Sequence, residues 1–422
     1  MTVMTARFAL LVDAGAAETR FAAVRGDGAV VGLAFARSIA DPEAPDAPLR
    51  AGDVAVGVVR AIEPAVGGAF VDVGAARDAF APFRKTPSGW AEGARVLAAV
   101  RREADGVKGA VLDPDWRASG LSASAVAPDA ARRPPGRAAP ALSPALEAFR
   151  RWPPRRFAEI LYTDVRLADP LRDVAATTAL SFDALSFDAQ AFADVDFEAR
   201  VDDALVRAAP IGDGGRLTFD ETAAGAFVDV AAGAALERGR AKGAANDRLN
   251  AKAASVAIAE LARRSIGGRI VVDFTTQSGA PARKALESLL RAELARAGPA
   301  LAGARLGRVA PDGLADIVAP RRGPSLLAFA TEEVADDKAP FARPGLAFRV
   351  PWRARRAIAA AEARLAASPR ARFKLDLGAR LAAMVAERNE WTDRLAAAYG
   401  PRLAVAPAAD LTPWEHRLVE RP

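Results

Sequence analysis

The pentapeptide Ala-Phe-Val-Asp-Val stands twice in the chain, at 69–73 within GGAFVDVGAARDAFAPF and at 226–230 within TAAGAFVDVAAGAALERG. Its apolar content and period-two alternation predict a β-strand in both places. Each strand sets a carboxylate among aliphatic and aromatic residues, which is costly unless that group is hydrogen-bonded or bound to a cation. The surroundings differ. The first copy lies among short apolar runs, DVAVGVVRAIE, GGAFVDVG, DAFAPF, ARVLAAVRRE and KGAVLD, with Gly and Pro at the turns. That spacing predicts a small closed barrel of about five strands, the OB type. The second copy is followed by a helical pattern in NDRLNAKAASVAIAELARRS, a strand IGGRIVVDFTT and another helix APARKALESLLRAELARA. Strand and helix in alternation predict an α/β layer. The two copies therefore read as strands with separate roles, not as a duplication.

The flanking segments complete the plan. RFALLVD and TRFAAVR, a Gly-Asp-Gly turn and AVVGLAFAR predict strands over 6–35. A loop rich in Pro and Asp follows at 39–49. Residues 113–145, including RRPPGRAAPALSP, read as an exposed connector or a shortened module. FAEILYTD and FEARVDDALVRAA make 145–211 α/β-like, and RFKLDLG, RLAVAPA and HRLVE supply strands to a small α+β unit at the C-terminal end.

Composition narrows the chemistry. Cys is absent and His416 is the single histidine. Disulfides, thiolate chemistry and Cys-ligated zinc are excluded on that ground, and Ser–His–Asp catalysis and histidine acid/base pairs are disfavoured. Carboxylates, a metal held by oxygen ligands, Lys and Arg remain. Lys and Arg number 58 against 52 Asp and Glu, a formal charge of +6, which favours a polyanionic partner. The run FALLV is short and followed at once by Asp13, so neither a signal peptide nor a membrane span is expected, and a cytoplasmic location is. The arginine-rich helix PWRARRAIAAAEARL reads as a solvated face in preference to an RNA track.

Two constellations stand out. Asp229 and Asp273 lie in apolar strands of one α/β unit; side by side, their carboxylates would share a divalent cation, and all-oxygen ligands select Mg²⁺ or Mn²⁺. The alternative is that each caps a turn or a helix. In the first copy, Phe70 and Phe80 stand near Arg60, Arg77, Arg84 and Lys85, a pattern suited to stacking single-stranded bases; the alternative is that both rings fill the barrel core. Asp72 reads as structural and Phe227 as packing.

The run GDVAVGVVRAIEPAVGGAFVDVGAARDAFAPF resembles the S1 domain of the ribonuclease E/G family, with KGAVLD similar to its closing strand and ETR at 18–20 to the family's opening. FEARVDDALVRAAPIGDGGRLTFDETAAGAFVDVAAG and LNAKAASVAIAELARRSIGGRIVVDF resemble the runs into the family's two catalytic aspartates, and GLADIVAPRRGPSL the close of its catalytic domain. The resemblance implies an RNase H-like/DNase I-like α/β catalytic core, an inserted S1 (OB-type) β-barrel and a small C-terminal α+β domain. The expected boundaries are 1–49 for N-terminal strands of the RNase H-like part, 50–113 for the barrel, and 114–211 for a connector and a reduced sensor-like/RNase H-like region. The catalytic domain would span 212–350 and the small domain 351–422.

It further implies that Asp229 and Asp273 bind Mg²⁺ in a phosphodiester-cleaving site, and that Phe70, Phe80 and Lys108 hold single-stranded RNA. Lys284, where the family usually has Arg, and Arg321 are further candidates for phosphate contacts. No zinc is expected, because the family's CPxC link is missing, and assembly would be monomeric or dimeric through the small domain. Two departures stand in the catalytic motifs: Ala231 replaces an Asn and Thr276 a second Asp. The expected function is Mg²⁺-dependent hydrolysis of single-stranded RNA; the alternative is an RNA-binding protein on the same scaffold with weak or no cleavage.

Overall fold

The computed structural model describes residues 7–37, 49–50, 52–104, 108–119, 126–139, 152, 157–169, 171–172, 185–222, 224–233, 242–333, 341–343 and 346–421. All but the last residue of the loop expected at 39–49 lies outside them. By internal contacts the chain forms two units, one of Ala40–Glu147 and one of Met1–Ile39 with Ala148–Pro422. It is a mixed α/β protein with several sheets and a closed five-stranded barrel.

Three antiparallel strands come first: β1 (Phe8–Ala14), β2 (Glu18–Arg25) and β3 (Val30–Arg37). Gly28, at φ +83°, supplies the left-handed residue that the β2–β3 turn requires.

The barrel consists of β4 (Val54–Glu63), β5 (Gly68–Asp72), β6 (Ala79–Pro82), β7 (Arg95–Arg102) and β8 (Val111–Asp113). These strands pair in the order β4-β5-β6-β8-β7-β4, with β6 and β8 parallel, so no edge is left open. Alternate residues, among them Val59, Val71, Ala81, Val96 and Leu112, fill the interior with Trp90. One element departs from expectation. Gly136–Ala139, inside the presumed connector, forms β9 and pairs antiparallel with β4. Its partner lies some eighty residues earlier in the chain, and nothing local in a Pro- and Arg-rich run announces such a pairing.

In the other unit, β10 (Glu159–Tyr162) and β11 (Leu185–Phe187) extend the N-terminal strands into a sheet ordered β3-β2-β1-β10-β11, with β1, β10 and β11 parallel. A second sheet holds β12 (Ala208–Gly212), β13 (Gly215–Glu221), β14 (Gly225–Ala231), β15 (Gly268–Asp273), β16 (Arg305–Val309) and β17 (Leu314–Ala319), ordered β12-β13-β14-β15-β17-β16. The helices Lys242–Arg263 and Ala280–Arg296 cover one face of it. Leu249, Ala253, Ala257 and Leu261 recur every four residues, as do Leu286, Leu290 and Leu294, and both stripes meet Phe219, Val228, Val230, Ile270, Val272 and Ile317.

A small sheet of β18 (Thr331–Glu333), β19 (Phe341–Arg343) and β20 (Leu346–Phe348) follows. The last sheet, β21 (Arg372–Leu377), β22 (Leu403–Pro407) and β23 (His416–Arg421), carries the helices Val350–Ala367, Ala379–Ala386 and Asn389–Tyr399. The arginine-rich helix is not the solvated face that its sequence predicts. Arg353, Arg355 and Arg356 lie 5.7–5.9 Å from the rings of Phe348, Phe329 and Trp352, and Arg356 pairs with Glu198. Glu18 is buried, and its carboxyl is pushed up by that burial and pulled back by Arg20, Arg355 and Arg356.

Candidate functional site

β14 and β15 run parallel, and their register sets Asp229 directly opposite Asp273. Val228, Val230, Val272 and Phe274 point to the helices and are buried; by the period of two, both carboxylates turn to the other face. They lie at the C-terminal ends of parallel strands, where open α/β sheets generally bind ligands. Asp229 is exposed and Asp273 half-buried. Neighbouring acids are neutralised: Asp220 by Arg207, Asp316 by Arg269 and Asp213 by Lys252. Among the described residues, neither Asp229 nor Asp273 has such a partner. Burial, then Asp229, then Asp312 hold the Asp273 carboxyl above the usual carboxylate range.

Asp312 escaped the sequence reading. It stands in the Asp-Gly turn joining β16 to β17, and β17 pairs with β15 so that Leu314 opposes Asp273. Gly313, at φ +105°, accepts a hydrogen bond from the Phe274 amide at 3.2 Å; a Cβ there would lie 2.3 Å from the Phe274 carbonyl oxygen. The turn is thereby pressed onto the strand end that carries Asp273. The only signal in sequence was an Asp-Gly pair between two apolar runs.

The loop after Asp273 is fixed from the helix Lys242–Arg263. Asn250 is 1% exposed; its Nδ2 donates to the Thr275 carbonyl at 2.7 Å, and its Oδ1 accepts from the Thr275 amide at 3.1 Å and hydroxyl at 2.9 Å. One turn earlier, Asn246 donates to the Thr276 carbonyl at 3.1 Å, and Asp247 accepts from the Ser278 amide at 3.0 Å. Asn250 was also missed, although a polar residue on the apolar stripe of a helix is a recognisable signal. Thr276 is exposed, and Ala231 is half-buried opposite Arg216.

Two adjacent carboxylates with no cationic partner among the described residues, one of them partly desolvated, suit a divalent cation. Among the described residues no group of three or more His, Cys, Asp or Glu is arranged to hold a metal. The donor set fits an ion that keeps most of its water and takes only one or two carboxylates, as Mg²⁺ does.

On the barrel, Phe70 and Phe80 oppose each other across β5 and β6 with ring centroids 5.4 Å apart. Phe70 is 38% exposed and Phe80 half-buried, so the rings face outward and do not fill the core. Gly68 makes room for Phe80: a Cβ there would lie 2.5 Å from the ring. Lys108 is exposed just before β8, where Ala110 accepts from the Phe80 amide at 2.8 Å. Asp72 has a structural role, bonded to Arg60 at 2.5 Å and to the Gly74 amide at 2.9 Å.

Lys284 is exposed near the start of the helix Ala280–Arg296, downstream of the Asp273 loop. Arg321 packs over Gly267 and Gly268, at the opposite end of β15 from Asp273. Five strand residues, about 17 Å, separate those ends, so the sheet does not bring Arg321 to the carboxylates. Phe227 is not packing. It is 43% exposed on the face of Asp229.

The ribonuclease E/G family model matches residues 93–304, half of the chain, a span that includes both aspartates. No curated protein matches the chain.

Proposed function

The chain belongs to the ribonuclease E/G family, and from that premise we propose that it is a Mg²⁺-dependent endoribonuclease acting on single-stranded RNA. The observation that carries this reading is the pair Asp229 and Asp273, in register on parallel strands and, among the described residues, without the arginine or lysine that neutralises other acids nearby. Mg²⁺, or Mn²⁺, held there would supply charge stabilisation at a phosphoryl oxygen and an activated water. Asn250 would keep the Asp273 loop in place through Thr275. Phe70, Phe80 and Lys108 would hold unpaired nucleotides on the barrel, which we take as the family's S1 domain; Lys284 is a weaker candidate for phosphate. The sheets ordered β3-β2-β1-β10-β11 and β12-β13-β14-β15-β17-β16 would then be its RNase H-like and DNase I-like parts. A cytoplasmic location and assembly as a monomer, or a dimer through residues 351–422, belong to the same reading.

A second reading, RNA binding with weak or no cleavage, is favoured by Ala231 and Thr276, which offer no carboxylate or amide side chain beside the pair. End-labelled single-stranded RNA incubated with Mg²⁺ and with EDTA separates the two. Cleavage in Mg²⁺ alone supports the enzyme; retention of uncut RNA in both supports the binding protein.

A further inference from the structure

The sheet face that carries Asp229 and Asp273 has features that the pair itself does not use. Register lays them out in rows across the strands. In the row of the carboxylates, Thr218, Asp229, Asp273 and Leu314 are opposed in turn. One row toward the start of β14, the sequence is Asp220, Phe227, Val271 and Asp316. Both outer acids of that row are taken by arginines, Asp220 by Arg207 at 2.7 Å and Asp316 by Arg269 at 2.7 Å. What remains between them is an exposed aromatic ring beside a half-buried valine. One row toward the end of β14, Arg216 opposes Ala231. Arg216 is exposed, and its side chain makes no hydrogen bond or ion pair among the described residues.

We infer that β13 and β14 form a track for one single-stranded RNA segment, on which Phe227 stacks a base to one side of the Asp229–Asp273 pair and Arg216 meets a phosphate on the other. The inference rests on the reading above and names two positioning residues for it. A strand rise of about 3.4 Å per residue sets the Cα atoms of Phe227 and Asp229 about 7 Å apart, two stacked base steps of about 3.4 Å each. An exposed phenyl ring beside neutralised acids offers an unpaired base a stacking surface without repelling its phosphates. An exposed arginine beyond the carboxylates, its side chain without a partner among the described residues, gives the next phosphate a cation. Thus the first Ala-Phe-Val-Asp-Val strand and the second both turn a Phe outward, with an Asp two residues on. In the first that Asp is tied to Arg60; in the second it is left for a ligand.

The test is a set of decamer RNAs, each with one abasic ribonucleotide at a different position. Dissociation constants are measured by fluorescence anisotropy in the Asp273→Asn background, so that no turnover intervenes. With Phe227 present, one abasic position is expected to weaken binding about tenfold. Phe227→Ala should weaken the intact RNA by a similar factor and show no further loss at that position, while Phe227→Trp restores the pattern. Arg216→Ala should lower the slope of log K against log salt by about 0.7. Equal abasic losses with and without Phe227, or an unchanged salt slope, overturn the inference. Because these are binding measurements, absence of cleavage by the unmodified protein would remove the enzymatic reading and leave the track standing.

Discussion

Asp273 sits in register with Asp229 across two parallel strands, and the Asp273 carboxyl is held above its ordinary range by burial and then by its neighbour's charge. A carboxyl in that condition keeps its proton to higher pH than a solvated one, and a cation must displace that proton to bind. Affinity for Mn²⁺, followed by calorimetry between about pH 4 and pH 7, is therefore expected to rise with pH until Asp273 is ionised and then to level off. Asp229→Asn should move the midpoint of that rise to lower pH while weakening binding. A midpoint unmoved by the substitution would mean that Asp229 does not raise the Asp273 carboxyl, and an unchanged plateau affinity that the two carboxylates do not share the ion.

Asn250 makes three hydrogen bonds to Thr275 from a buried position. Asn250→Ala leaves the Thr275 amide and hydroxyl without that partner, at an expected cost of about 2 kcal/mol in unfolding free energy. Cleavage should fall through misplacement of the Asp273 loop, with RNA affinity at the barrel unchanged. Urea denaturation together with a binding isotherm checks both halves.

Phe70 and Phe80 differ in exposure, and their substitutions should differ accordingly. Phe70→Ala is expected to weaken RNA binding by about 1–3 kcal/mol with little change in melting temperature. Phe80 is half-buried over Gly68, so Phe80→Ala should lower affinity and stability together. Equal stability losses for the two would contradict the outward orientation of Phe70.

Glu362 lies on the helix Val350–Ala367 and accepts a hydrogen bond from the Ala16 amide at 2.9 Å. Burial, opposed by that bond and reinforced by Asp13, pushes its carboxyl up to about 7. With the folded value above the unfolded one, its contribution to stability is complete below the ordinary carboxyl range and is lost as pH rises through about 7. Glu362→Gln mimics the protonated group and still offers Ala16 an acceptor. The variant is expected to match the parent in melting temperature near pH 4 and to exceed it near pH 8. A constant difference at both values would show that Glu362 does not titrate there.

Much of the sheet architecture is written in local alternation. Val228 and Val230 fix the buried face of β14, and the outward parity of Asp229 follows. The same parity carries Phe227 outward, although a phenyl ring among aliphatic residues reads as packing. The β9 strand and the closeness of Asp312 to Asp273 were not legible, because each depends on pairing between distant segments that leaves no periodic trace in either one. The inward arginines of the helix Val350–Ala367 were unreadable for a related reason: Glu18 and Glu198, which draw Arg356 inward, lie far from it in sequence.

In the proposed function, the Asp229–Asp273 pair holds the metal ion on which cleavage of RNA depends. The most direct measurement is the rate of cleavage of a single-stranded RNA as a function of Mg²⁺ concentration, for the parent and for Asp273→Asn, with the product ends identified. Saturable Mg²⁺ dependence, products bearing 5′-phosphate and 3′-hydroxyl ends, and loss of activity in the variant are expected. Cleavage that persists in EDTA, or that Asp273→Asn leaves untouched, would contradict it.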